Sequence, residues 1–194
     1  ERLRQPGVAG HDRGPVDRRV DPRERQVPGV GSGGGDLVQD RLLLGDERRP
    51  FDASTLGFGQ AIAAALVAGV SKLVLGIGSS ASTDGGVGML TALGARFFND
   101  FGASVAPGAA GLEELVSADL SALKPLPAGG VQVLSDVTNP LRGSTGAAAI
   151  FGPQKGLDAE GIERADAGLG RLVAALDRAD LADVEGAGAA GGTG

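Results

Sequence analysis

The sequence has no cysteine, tryptophan or tyrosine, and a single histidine, His11. Without cysteine there is no disulfide framework, no thiolate nucleophile and no sulfur-ligated metal, and the expected compartment is the reducing cytoplasm. One histidine in the least patterned stretch argues against a His-built metal site and a Ser-His-Asp triad. Aromatics make up 3% of 194 residues, so a core must come from Ala, Val, Leu and Ile, which the 42% apolar content can supply. No apolar run approaches the ~20 residues of a membrane span, and no signal-peptide pattern is present. A net charge of −6 disfavours nucleic acid as a partner.

Residues 1–50 differ from the rest. They hold ten of the 18 basic residues, all Arg, nine of the 24 acids, five of the ten prolines and only one alanine, Ala9. Neither a 3.6-residue nor a two-residue period runs through HDRGPVDRRVDPRERQ. The stretch reads either as an irregular, solvated arm or as out-of-frame text from GC-rich coding DNA, and no site is placed in it. Residues 51–194 read as one α/β domain. GQAIAAALVAGV is an alanine-rich helix closed by Gly69, preceded by the capping or ligand-facing pair Ser54-Thr55.

The segment KLVLGIGSSASTDGGVGMLTALGAR organises that domain. Leu73, Val74, Leu75 and Ile77 form a short apolar run, the pattern of a strand buried on both faces. A loop of Gly and hydroxyl residues follows, and Gly85-Gly86 opens a helix through Val87, Met89, Leu90 and Leu93. Backbone N–H groups beside a helix N-terminus attract phosphate, and Asp84 with nearby hydroxyls suits a hydrated Mg²⁺. Thr83 or Asp84 also fits as a helix N-cap. A rival pattern overlaps: Gly76, Gly78 and Ala81 with Asp100 match a dinucleotide-binding fingerprint.

Phe97-Phe98 reads as core and strand-edge packing, and Asn99 to Gly102 as a turn. LEELVSADLSAL is expected to hold a short helix and an extended piece, and VQVLS a second buried strand ending on Asp136. In DVTNPLRGSTGAAAIFGPQKG, a helix is expected from Ala147 to Phe151, with Pro153 to Gly156 as a loop. One carboxylate, one amide, one Arg and one Lys close together (Asp136, Asn139, Arg142, Lys155) suit metal, phosphate and a small anionic acid. Leu157 to Leu181 is amphipathic and reads as a core-facing helix. The closing EGAGAAGGTG stops within a Gly-rich loop, so the chain reads as cut short there.

These blocks resemble a known family. GIGSSASTDGGVGMLTALGARF and SDVTNPLRGSTGAAAIFGPQKG are similar to two blocks of the bacterial-type glycerate kinase family. ERRPFDASTLGFG and EGAGAAGGTG resemble two more, in the same order, from about Glu47 to Gly194. Ser79, Ser82, Thr83 and Glu185 depart from the residues usual there (Gly, Thr, Asn and Pro). DSFKG-like, ADGGEGT-like and TGEG-like motifs of the family are absent. The resemblance implies a Rossmann-like parallel sheet flanked by helices, the central part of a two-domain kinase. It implies transfer of the γ-phosphoryl group of ATP, with Mg²⁺, to D-glycerate. The catalytic and metal-holding residues expected from it are Asp84 and Asp136. Those expected on substrate or phosphate are Gly78, Ser79, Ser80, Thr83, Gly85, Gly86, Asn139, Arg142 and Lys155. Two other classes stay open: a dinucleotide-dependent oxidoreductase domain, and a non-catalytic α/β piece.

Overall fold

A computed structural model describes residues 48–194. The irregular or out-of-frame reading of residues 1–50 therefore lies, up to residue 47, outside the described residues.

Helix α1 (Leu56–Val67) is the expected alanine-rich helix, and Gly69, at φ +74°, stops it. Its small Gly59 lets the backbone of α2 (Val87–Ala92) come close: a Cβ there would sit 2.6 Å from the Met89 Cα. Between them in sequence runs β1 (Leu73–Gly76). It pairs in parallel with β4 (Val131–Leu134), Leu73 opposite Val131. A second sheet is antiparallel: β2 (Arg96–Phe98) pairs with β3 (Ser117–Asp119), and the Arg96–Asp119 ion pair closes its end. The one-turn helix α3 (Ala109–Leu112) lies between these two strands in sequence.

Helix α5 (Ala159–Ala175) supplies much of the core. Asp158 caps it by accepting from the Gly161 N–H at 2.8 Å. Its buried stripe of Ala165, Gly168, Leu169, Leu172 and Val173 follows the three-and-four spacing that the sequence shows. Leu169, Leu172 and Val173 join Phe97, Leu112, Leu115, Val87 and Leu141 in one cluster. At about 25 cal/mol per Å² of apolar surface removed from water, each such side chain contributes roughly 1.5–3 kcal/mol. Phe97, 3% exposed, is core and Phe98 sits at the strand edge, as expected.

Three expectations are corrected. First, β1 is not buried on both faces. Leu73 is inside, but Val74 is 56% exposed, as are Val133 (48%) and Leu134 (49%) on β4. Among the described residues the two strands pair only with each other, and only the face carrying Leu73 is covered. Second, α4 (Ala147–Lys155) does not stop at Phe151. Pro153 falls in its last turn, where a missing N–H forfeits one hydrogen bond, and the helix ends at Gly156, φ +101°. Third, α5 stops at Ala175. Asp177 turns left-handed at φ +53°, and the chain continues as a 3₁₀ turn, Ala179–Asp183. The α/β class, with a parallel strand pair and helices, stands as expected.

Candidate functional site

Two loops leave the carboxyl ends of the parallel strands, residues 77–86 after β1 and 135–146 after β4. Crevices at that end of a parallel sheet are where α/β proteins hold ligands. A cavity of about 110 Å³ lies there. Gly78, Ser79 and Ser80 line it from the first loop, and Asp136 from the second. Phe151, Gln154 and Lys155 close it from α4, and Ala189, Ala190 and Gly191 from the Gly-rich end of the chain.

Lys155 is the buried charge of this cavity, 4% exposed. Its Nζ donates to Ser80 Oγ at 3.0 Å and to the Ser82 carbonyl. Burial pushes its pKa down to about 8, against the pull of the Asp84 carboxylate, which favours the charged form. At the C-terminal end of α4 the ammonium also complements the helix dipole. Asp136 is exposed and has no hydrogen-bond partner among the described residues.

Asp84 is placed differently. It is fully buried, and both carboxylate oxygens are taken by the protein. Oδ2 accepts from Thr55 N at 2.8 Å, Thr55 Oγ1 at 2.9 Å, and Ser54 Oγ and Gly88 N at 3.2 Å each. Oδ1 accepts from Gly86 N at 3.2 Å. The other N–H groups at the start of α2 are also used: Gly85 N donates to the Gly191 carbonyl and Val87 N to the Asp84 carbonyl. The helix start that the sequence offers to a phosphate thus already holds an anion, the chain's own carboxylate. Gly86 is the N-cap residue of α2, and neither Thr83 nor Asp84 occupies that position. Ser54 and Thr55 serve as Asp84's donors, a pairing across about thirty residues that no local spacing reveals.

The Gly-rich end of the chain bonds to both loops. Besides the Gly85–Gly191 bond, Gly188 N donates to the Asn139 carbonyl at 2.9 Å. A Cβ on Gly191 would lie 2.0 Å from the Ser82 carbonyl oxygen, so only glycine permits this approach. The hydroxyls of Ser82 and Thr83 are buried without a partner among the described residues. Ser79 and Ala190, on opposite loops, are both left-handed at φ +49°, an uncommon state for residues with a Cβ.

The structure therefore gathers Gly78, Ser79, Ser80, Asp136 and Lys155 around one cavity. Thr83, Asp84, Gly85 and Gly86 lie behind it, supporting the loop. Asn139 and Arg142 face elsewhere. Asn139 Nδ2 donates to the Thr145 carbonyl at 2.8 Å, holding its own turn. Arg142 is bound to Asp166 through Nε to the carbonyl (3.0 Å) and through its terminal nitrogen to the carboxylate (3.1 Å). It lines a separate groove with Glu163 and Asp166, where two carboxylates outnumber one guanidinium. Sequence reasoning missed Gln154, Phe151 and Ala189 to Gly191. Gln154 sits in a segment read as loop, and the Gly-rich block contains no reactive side chain that would single it out.

The dinucleotide fingerprint does not form. Ten residues separate β1 from α2, and the strand parallel to β1 is β4 rather than β2. Asp100 therefore follows an antiparallel strand, not the neighbouring parallel strand of a dinucleotide fold.

The sequence model of the glycerate kinase family matches residues 39–194, a start earlier than Glu47. The chain belongs to the glycerate kinase family. It is 43% identical over 157 residues to a glycerate kinase of Bacillus subtilis, covering 79% of this chain and 41% of that one. It is 41% identical over 157 residues to glycerate 2-kinase of Escherichia coli, again covering 79% of this chain and 41% of the relative. The crystal structure of a proposed glycerate kinase 2 from Salmonella typhimurium LT2 superposes with a TM-score of 0.77 at 46% identity, over 80% of this chain and 43% of that one. The chain thus spans about two fifths of the length of these relatives.

Proposed function

We propose that this chain contributes to an ATP-dependent kinase that phosphorylates D-glycerate to phosphoglycerate in the cytoplasm. The observation that carries the reading is the cavity at the carboxyl ends of β1 and β4, where a buried Lys155 and an exposed Asp136 line one wall system in a glycerate kinase family chain. Phosphoryl transfer requires alignment and charge neutralisation more than covalent chemistry by the protein. Lys155 offers positive charge for a carboxylate or phosphate. Ser79 and Ser80 offer hydroxyls that orient the acceptor. Asp136 can take a hydrogen bond from the attacking hydroxyl.

Mg²⁺ in such sites keeps most of its water and uses one or two carboxylates plus the phosphates. Asp136 fits that demand, because its carboxylate has no partner among the described residues. Asp84 does not, because both its oxygens are already bonded. Bound with the nucleotide, Mg²⁺ would neutralise phosphate charge. Asp84 acts by holding the loop that carries Ser79 and Ser80.

The test is a coupled ADP-release assay with D-glycerate on the chain and on a full-length relative. Turnover dependent on D-glycerate in the relative, abolished by replacing the residue equivalent to Asp136, supports the reading. A relative that releases no ADP with D-glycerate overturns it.

A further inference from the structure

A second cavity, of about 170 Å³, lies beside the β2 hairpin. Apolar cavities of roughly 150 Å³ take up a benzene ring. Leu56, Val87, Phe97, Val105 and Pro107 supply its apolar walls, and Arg96 lines it as well. The guanidinium of Arg96 is mostly exposed and spends one terminal nitrogen on Asp119. Its other N–H groups have no acceptor among the described residues.

The hairpin that walls this cavity also carries an anchor. Phe101, at its tip, is 88% exposed, more than any other large apolar side chain among the described residues. The tip itself is held in shape. Asn99 Oδ1 accepts from Phe101 N at 3.1 Å and from Ala103 N at 3.0 Å. Asn99 N donates to the Ala103 carbonyl at 2.9 Å, and Gly102 makes the turn at φ +74°. A ring presented this way avoids the ordering cost that a loose loop incurs on binding. Asp100 beside it is exposed and has no ion-pair partner among the described residues. The tip thus offers an anion next to a ring, and the cavity offers a cation next to an apolar hollow. In the single chain the ring stays outside the cavity.

We infer that this face pairs with a second copy of the chain: Phe101 of each copy enters the apolar cavity of the other, and each Asp100 meets the other copy's Arg96. Anchor and receptor sit on one hairpin, and a two-fold dimer requires such a self-complementary patch. None of these residues lines the Lys155 cavity, so the pairing is independent of the kinase reading. Two aromatic rings bury about 150–250 Å² each, well short of the ~1,200 Å² of a stable interface, so the dimer is weak and depends on concentration.

The test is sedimentation equilibrium of the 194-residue chain over a range of concentrations, with Phe101→Trp as a reporter. The chain has no tryptophan or tyrosine of its own, so the emission of this variant reports position 101 alone. A monomer–dimer equilibrium is expected, with Trp emission moving to shorter wavelength as the dimer forms. Phe101→Ser is expected to abolish the dimer at the same concentrations. Asp100→Arg, which sets two arginines against each other at each contact, is expected to weaken it about tenfold. Both positions are exposed, and circular dichroism checks that the variants stay folded. A wild-type chain that sediments as a monomer at about 1 mM overturns the inference. A dimer that survives Phe101→Ser, or that forms with no change in Trp emission, also overturns it, because the copies then meet through another face.

Discussion

Lys155 Nζ and Ser80 Oγ lie 3.0 Å apart, joining the end of α4 to the loop after β1 across 75 residues of sequence. The bond ties the last residue of a helix to the loop after β1, and it places a buried ammonium at the cavity wall. Removing it would disturb the shape of the loop as well as the charge of the site.

The first prediction concerns pH. The folded pKa of Lys155, about 8, lies below its ordinary value of 10.5. Between these values the unfolded chain holds the extra proton and the folded chain does not. Stability contributed by this group is therefore constant below about 8, rises with pH between about 8 and 10.5, and levels off above. Anion binding runs the other way: it is level while the ammonium is charged and falls as pH rises past about 8, with the midpoint moved upward by the bound anion. Urea unfolding and D-glycerate titration on both sides of that pH check the two slopes, and Lys155→Met removes both.

The two carboxylates should separate cleanly. Asp84→Asn replaces one accepting oxygen with a donor NH₂, so either the four donors at Oδ2 or the Gly86 N–H at Oδ1 faces a donor instead of an acceptor. A stability loss of about 3 kcal/mol is expected. Asp136→Asn, at an exposed position, should change stability by less than about 0.5 kcal/mol. Its effect should appear in phosphoryl transfer of a full-length relative. Equal stability of the two variants in urea would contradict the assignment of Asp84 to support.

Backbone strain at the cavity gives the third prediction. Ser79 and Ala190 both carry a Cβ in the left-handed region at φ +49°. Ser79→Gly and Ala190→Gly should each stabilise the chain, by about 0.5–1 kcal/mol, since glycine occupies this conformation without steric cost. The two line the same cavity, so the double variant is expected to depart from the sum of the single gains. Thermal or urea unfolding of the single and double variants measures this.

Much of the fold is legible because local pattern and burial agree. The stripe of Leu169, Leu172 and Val173 announces α5, and the aromatic pair Phe97-Phe98 announces β2. Helix ends were harder. Pro153 reads as a break, yet a proline in the last turn costs only one bond. The strands were misjudged in burial, because an apolar run such as Leu73 to Ile77 says that a strand exists and not what covers it. The site was half legible. Density of Gly, Ser and Asp singles out the loop 78–86, and the structure puts Gly78, Ser79 and Ser80 on the wall of a cavity. It did not reveal that Asp84 turns inward while Ser79 and Ser80 turn toward the cavity, or that Arg142 is held by Asp166.

By itself, the sequence determined the order of strands, loops and helices after residue 50, the amphipathic face of α5, and the family to which the four blocks belong. Those are properties of short stretches, and periodicity and local turn chemistry carry them. The tertiary structure decided which polar groups remain available for chemistry. Asp84 and Asp136 are both acids in loops that follow parallel strands, indistinguishable by composition. One meets Thr55, Ser54 and the start of α2 and is saturated; the other stays exposed beside a buried Lys155. That difference depends on contacts between residues tens of positions apart, which exist only once the chain has closed on itself.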